Sequence, residues 1–300
     1  MELIKILCLT FCVFSITSYP QVALDQQQYR VFDAAGNPSS IDAIVTATGK
    51  VQVIFLGEMH DDAVGHAVQL DVFRRAVESS KNGRKVALSL EMFERDVQIV
   101  LDEYLTGLIS ESHLISGGRA WGNYKTDYKP LVELAKQRKL DVIAANAPRR
   151  YVNMVSRNGR AALAGLSPEA KRWLAPLPFG DPSDAYSKKF KGLMGPSAEA
   201  QMGIDNILAS QSLWDATMAD SIARYLKGHD GALVVHLNGG FHTESRLGTV
   251  EHFAKYRPQA KALVVTIRYE TDFTNFDRSK HGGLGDFVIL TDAAQPRSKR

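Results

Sequence analysis

Cysteine is nearly absent from this chain, and so are several other features that would define a class of protein. Only Cys8 and Cys12 occur among the 300 residues. The 36 Lys and Arg residues are scattered and nearly balanced by 33 Asp and Glu. The sequence shows neither a stripe of basic residues nor a known nucleic-acid-binding motif. After the N-terminus, no segment approaches the ~18 consecutive apolar residues of a transmembrane span. The G-x-S-x-G, H-E-x-x-H and P-loop signatures are missing too, which excludes the most familiar hydrolase and phosphate sites.

Both cysteines lie in an N-terminal segment that is typical of an export signal. Lys5 precedes the uncharged segment Ile6 to Thr17, after which small and turn residues follow. We therefore expect a signal peptide over residues 1–23 and an exported protein of the periplasm or cell envelope; a retained anchor is the alternative. A lipoprotein is less favoured, because a bulky Phe11 precedes Cys12. Cleavage would leave a chain without cysteine, stabilised by its core alone.

Short apolar runs alternate with amphipathic stretches along the rest of the chain, and the runs lack the polar alternation of half-exposed strands. This rhythm predicts an α/β fold with a mostly parallel sheet and helices on both faces. We expect one domain over 24–300, with a helical insertion at about 166–213 between the third and fourth predicted strands. The six predicted strands are Val51 to Leu56, Lys85 to Leu90, Asp141 to Ala145, Ala232 to Leu237, Lys261 to Ile267 and Asp286 to Leu290.

The predicted helices are fewer. They are Ala63 to Ser79, Asp96 to Thr106, Tyr128 to Lys139, Trp214 to Leu226 and Thr249 to Tyr256.

Polar side chains follow four of the predicted strands directly. Ligands of parallel sheets bind outside the carboxyl ends of the strands, so these residues should share one pocket. A single such residue is usually a helix cap or a surface group, whereas agreement at four strand ends indicates a site. The residues are Glu58 and His60, then Glu91, then Asn146 and Arg149, and finally Asn238 and His242, with His236 inside the last strand.

Two kinds of chemistry suit this set. Glu58, His60, Glu91 and His242 could act in catalysis as general acids and bases. Alternatively, His60, Glu91 and His242 could bind a divalent metal such as Mn, Co or Zn. Asn146, Arg149, His236 and Asn238 are candidate cofactor-binding residues. His66 is expected to be an exposed helix residue.

The same residues carry a resemblance to a known family. The sequence is similar to the ChaN-like haem-binding uptake family (DUF399) of the Tiki superfamily over about Gln52 to Pro296. The motifs are GEMHDD at 57–62, SLEMFERDVQ at 89–98, WGNYKTDYKPLVELA at 121–135, AANAPRRYV at 144–152, LWDATMADSIARYL at 213–226, HLNGGFHTE at 236–244 and DFVILTD at 286–292.

The resemblance implies an exported haem-binding protein in iron acquisition that forms a homodimer around paired haems. In that family picture a tyrosine of the insertion ligates haem iron. Tyr186 is the only tyrosine between Leu166 and Leu213, so it is the candidate ligand. The segment has no histidine, so a histidine partner from the same helix is missing.

Other branches of the superfamily imply a different activity. Tiki proteins resemble metal-dependent proteases with two G-x-x-H motifs and a glutamate, which Gly57 to His60, Gly239 to His242 and Glu91 match. Erythromycin esterases use a Glu/His set at the same strand ends. A metal-dependent hydrolase is therefore the alternative function, and a partner-binding envelope protein with a decayed site is the third.

Overall fold

Seven strands form one sheet in the computed structural model, which describes residues 24–80, 83–195 and 203–299. The predicted signal peptide lies outside the described residues. The strand order is β1-β7-β6-β2-β5-β3-β4, and every neighbouring pair is parallel except β1 with β7. The strands are β1 (Tyr29–Asp33), β2 (Val53–Glu58), β3 (Val86–Glu94), β4 (Val142–Asn146), β5 (Leu233–Gly239), β6 (Ala262–Glu270) and β7 (Phe287–Asp292).

All six predicted strands are present, and the mostly parallel α/β fold is confirmed. The strand that the sequence did not reveal is β1, an edge strand that pairs only with β7 and exposes Arg30. Its five residues lack the continuous apolar run by which the buried strands were recognised. Counting β1, the helical insertion follows the fourth strand rather than the third.

Helices connect the parallel strands. Two predicted helices, at 63–79 and 249–256, have the predicted bounds. Helices α1, α4, α6 and α11 were not predicted, and α9 begins earlier than expected. The helices of the described residues are α1 (Ile41–Thr48), α2 (Ala63–Ser79), α3 (Gln98–Leu105), α4 (Glu111–Gly117), α5 (Lys129–Gln137), α6 (Arg149–Asn158), α7 (Pro168–Lys171), α8 (Asp184–Met194), α9 (Ile204–Gly228), α10 (Thr249–Tyr256) and α11 (Arg278–His281). No helix among the described residues is long and apolar enough to cross a membrane.

The two faces of the sheet bury different sets of side chains, because successive strand residues point to opposite faces. On β2, Ile54 and Leu56 pack with apolar residues of α1, α2 and α5. Val53 and Phe55 pack with α9 and α10 on the other face. Every residue of β2 is buried, which explains its continuous apolar sequence. Because β2 is the central strand of the seven, its carboxyl end lies in the middle of the sheet edge.

One buried cation joins the end of β3 to the long helix α9. Nη1 of Arg95 donates to the Leu174 carbonyl at 2.9 Å, and Nη2 donates to the Thr217 carbonyl at 2.8 Å. Nε donates to Oγ of Ser221 at 3.0 Å, and Asp220 lies 3.0 Å from Nη1. These bonds fix α9 against the carboxyl edge of the sheet.

We expect Arg95→Ala to lower the free energy of unfolding by about 3 kcal/mol, because it leaves buried acceptors and a buried carboxylate without their donor. The exposed Arg172 is a matched control, and Arg172→Ala should change stability by less than ~0.5 kcal/mol. Urea unfolding of both variants measures the difference. If both variants lost the same free energy of unfolding, the hydrogen bonds of Arg95 would not stabilise the fold.

Candidate functional site

Four strand ends meet at the carboxyl edge of the sheet and form the floor and walls of an open cleft. The cleft has a volume of about 770 Å³, within the range of small-molecule sites. Glu91 lies within β3 rather than after it, because β3 continues to Glu94 through an irregular register with β4. The cleft is lined by His60, Glu91, Met92, Glu94, Arg119, Ala120, Trp121, Gly122, Asn146, Ala147, Arg149, Arg150, Trp214 and His242.

Glu58, the last residue of β2, is a buried carboxylate surrounded by donors. Its Oε1 accepts from the Tyr128 hydroxyl and lies 2.9 Å from Nδ1 of His60. Its Oε2 accepts from Nε2 of Gln69 at 2.7 Å and lies 3.5 Å from Nδ1 of His66. Burial alone would raise the pKa of Glu58, but the neighbouring histidines and the hydrogen bonds outweigh it and lower the pKa to about 2. The carboxyl group is therefore ionised at neutral pH.

The ionised Glu58 orients the ring of His60. A carboxylate oxygen only accepts, so Nδ1 of His60 donates to Oε1 of Glu58. The Trp121 ring meets the imidazole edge-on, with 4.9 Å between ring centroids. The His60 side chain is 25% exposed, whereas Glu58 is buried. His60 thus presents an oriented imidazole at the cleft.

Helix α2 supplies two partners of this site that the sequence analysis missed. His66 is buried, so its expected exposure is wrong. Its Nδ1 lies 3.0 Å from Oε1 of Gln69, and its Nε2 lies 3.1 Å from the His60 carbonyl oxygen. The signal that could have revealed them is the i, i+3 spacing of two polar residues beside the apolar stripe of α2, one turn after a polar strand end.

A second histidine has a carboxylate of its own on the other side of the cleft. Nδ1 of His242 lies 2.8 Å from Oδ1 of Asp215, an α9 residue. Its Nε2 lies 3.8 Å from Oε1 of Glu91. Burial alone would lower the pKa of His242, but the two carboxylates outweigh it and raise the pKa to about 9. His242 is therefore a cation at neutral pH. Asp215, like α2, was not predicted to belong to the site.

Glu91 and Gly239 are hydrogen-bonded to each other, and each lies near one of the two histidines. Oε2 of Glu91 accepts from the Gly239 backbone N–H at 2.6 Å. A Cβ on Gly239 would lie 2.8 Å from Nε2 of His60 and 3.7 Å from Oε2 of Glu91. Glycine is needed here because of this close approach and not because of its backbone angles, which any residue adopts.

The remaining predicted site residues divide into two groups. Asn146 and Arg149 line the cleft. His236 and Asn238 do not, because their side chains are buried in the sheet: Nδ1 of His236 lies 2.9 Å from Oγ of Ser89, and Nδ2 of Asn238 donates to the Gly239 carbonyl at 2.8 Å. Burial lowers the pKa of His236 to about 3, so the ring is neutral. Their role in binding a cofactor stays a prediction.

Tyr186, the candidate haem ligand, lies in α8 and is fully buried. Its hydroxyl donates to Oδ2 of Asp215 at 2.5 Å, and its ring packs with Phe190, Ile204 and Leu208. Burial and the Asp215 charge raise its pKa well above 10. The Tyr186 hydroxyl therefore holds the Asp215 carboxylate that contacts His242, and Tyr186 is not among the residues that line the cleft.

The predicted metal site is not assembled in the part of the chain that the structure describes. No group of three or more His, Cys, Asp or Glu side chains there could hold a metal ion. His60, Glu91 and His242 all line the cleft, but each is engaged differently: His60 by Glu58, Glu91 by a backbone N–H, and His242 by Asp215.

The fold and the cleft define an α/β protein with a small-molecule site at the carboxyl edge of its sheet. The family model for "Haem-binding uptake, Tiki superfamily, ChaN" matches residues 44–253, and the chain belongs to this family. A search of curated proteins finds no match.

Solved structures with the same fold include one described as "Cofacial heme binding to ChaN of Campylobacter jejuni". It is 19% identical, with a TM-score of 0.69 over 89% of this chain and 98% of that one. A structure from Bacillus cereus is 11% identical, with a TM-score of 0.51 over 91% and 97% of the two chains. At these identities the likeness extends to the fold.

The charge of His242 makes stability depend on pH. Because its folded-state pKa lies above the ordinary 6.5, the charged ring stabilises the fold fully below pH 6.5, and this contribution is lost as the pH rises towards 9. We expect urea unfolding to show a loss on the order of 3 kcal/mol between pH 6 and 9. His242→Gln should remove most of this dependence, and parallel pH profiles for the two proteins would contradict the assignment.

Proposed function

We propose that this protein binds haem as cargo in the cleft at the carboxyl edge of the sheet. The observation that carries the proposal is the composition of the cleft, which combines Trp121 and Trp214 with imidazoles and three arginines. Haem is a flat, largely apolar ring with an iron centre and two anionic propionates. Indole rings suit the macrocycle, imidazole nitrogen suits the iron, and guanidinium groups pair with carboxylates. The donor set of the cleft therefore fits this ligand, and family membership supports it.

The three arginines of the cleft differ in the ion pairs that they already form within the protein. Arg119 contacts Glu94 and Asp96, and Arg150 also contacts Asp96. Arg149, the exposed first residue of α6, makes no ion pair with another described residue. It is the arginine best placed to pair with a propionate.

We propose further that the protein is exported and takes part in iron acquisition. The N-terminal segment typical of a signal peptide supports both points, as does the description of the family as one of haem uptake. A homodimer remains a prediction from the family resemblance. The alternative of a metal-dependent hydrolase is not favoured, since none of its ligand groups is assembled among the described residues.

A titration with ferric haem, followed by absorbance, tests the binding. We expect a saturable Soret shift for the full chain, and a chain that produces none would overturn the proposed function. Arg149→Glu should weaken affinity about tenfold, because it replaces attraction to a propionate with repulsion.

Two controls separate the propionate contact from general charge. Arg157→Glu changes an exposed residue of the same helix that does not line the cleft, so it should leave affinity within twofold. The dimethyl ester of haem has no propionate charge, and its binding should not respond to Arg149→Glu. An equal loss with both variants would contradict the contact.

A further inference from the structure

We infer that the segment after β7 fastens the turn that carries His60 at the cleft, and that Ser298 is the positioning residue of this contact. The segment covers residues 293–299 and is called the strap below. The positioning acts in the free protein and does not depend on what the cleft binds. Only its consequence for affinity rests on the proposed haem binding.

The strap pairs with the turn through the backbone. The turn runs from Met59 to Asp62, between the end of β2 and the start of α2, and the Asp62 N–H donates to the Met59 carbonyl at 2.9 Å. Arg297 and Asp62 form an isolated antiparallel β-bridge. The Ser298 N–H donates to the Asp61 carbonyl at 2.9 Å. The strap therefore lies against the turn like a short added strand.

The Arg297 side chain fixes the strap on the sheet. Its guanidinium carbon lies 3.5 Å from the centre of the Tyr269 ring, a cation–π contact with β6. Its Nη1 lies 3.6 Å from Oδ1 of Asp62, a buried carboxylate. The other oxygen of Asp62 accepts from the Thr291 hydroxyl of β7 at 2.6 Å. The turn is thus tied to β6 and β7 as well as to β2.

Ser298 is connected to the turn a second time, through buried side chains. Its hydroxyl donates to Oδ1 of Asp127 at 2.8 Å, and Oδ2 of Asp127 accepts from Nδ2 of Asn123 at 2.6 Å. Nδ2 of Asn123 also donates to the His60 carbonyl at 2.8 Å. Asp127 and Asn123 are 4% and 1% exposed, so water does not readily replace a donor that is removed. The strap hydroxyl is therefore linked to the backbone of a residue that lines the cleft.

A further contact limits the size of the effect. Nε2 of His66 lies 3.1 Å from the same His60 carbonyl and 3.6 Å from Oδ2 of Asp127. Loss of the Ser298 hydroxyl should therefore loosen the turn without releasing it. A polar segment that merely rested on the surface would leave the turn unchanged, because such segments fray independently of the fold.

Hydrogen exchange in the haem-free full chain tests the positioning directly. We expect Ser298→Ala to speed amide exchange in residues 60–66 about fivefold, because Asp127 loses a donor to its charged oxygen. Exchange in β5 should not change, which would show that the opening is local. Ser298→Thr keeps the hydroxyl and should retain the slow exchange. Lys299→Ala, at the exposed neighbouring position, is the matched control and should exchange like the wild type.

A double-mutant cycle tests the path through Asp127. Asp127→Asn removes the charge that accepts from Ser298, so we expect it to speed exchange in residues 60–66 by itself. Adding Ser298→Ala to Asp127→Asn should then change exchange by less than about twofold, because the bond is already weakened. Effects that multiply in the double variant would mean that Ser298 does not act through Asp127.

Haem affinity connects the strap to the proposed function. We expect Ser298→Ala to weaken haem binding about threefold, because a looser cleft wall must be ordered when the ligand binds. Lys299→Ala should leave affinity unchanged.

The outcomes separate the positioning role from the proposed function. A wild type that binds no haem would overturn the proposed function and leave the exchange result intact. Unchanged exchange in Ser298→Ala would overturn the positioning role, whether or not the wild type binds haem. Altered exchange with unchanged affinity would overturn the link between the strap and the ligand.

Discussion

The site is organised by one buried negative charge, the Glu58 carboxylate at the end of β2. Removing an ionised carboxylate from water costs several kcal/mol unless donors replace the lost hydration. Tyr128, Gln69 and His60 supply those donors, and His66 adds a nearby ring. Meeting this requirement positions the start of α2, the turn before α5 and the imidazole at the cleft. The orientation of the His60 ring follows from its hydrogen bond to Glu58.

Two carboxylate and histidine pairs face one cleft, and their surroundings differ. His60 has one carboxylate and a partly exposed ring. His242 lies between Asp215 and Glu91 and keeps a second proton. For a ligand such as haem, His242 adds positive charge to a cleft that already holds three arginines.

The sequence predicted the sheet well, because strands buried on both faces leave continuous apolar runs. It missed β1, whose edge position leaves no such run. Glu58, His60, Glu91 and His242 were predicted as site residues because each follows an apolar run in the sequence, and His60, Glu91 and His242 line the cleft. Gln69 and Asp215 were not, because their partners are distant in sequence and helical periodicity does not reveal which strand end a helix residue meets. The role of Tyr186 as a haem ligand came from the family resemblance and stays a prediction; in this structure its hydroxyl donates to Asp215.

The central claim is that haem binds in this cleft. The most direct test is a crystal structure of the haem-loaded full chain with the iron located by its anomalous scattering. We expect the iron peak inside the cleft, with the macrocycle beside Trp121 and Trp214 and a propionate near Arg149. An iron peak away from the residues that line the cleft would contradict the account.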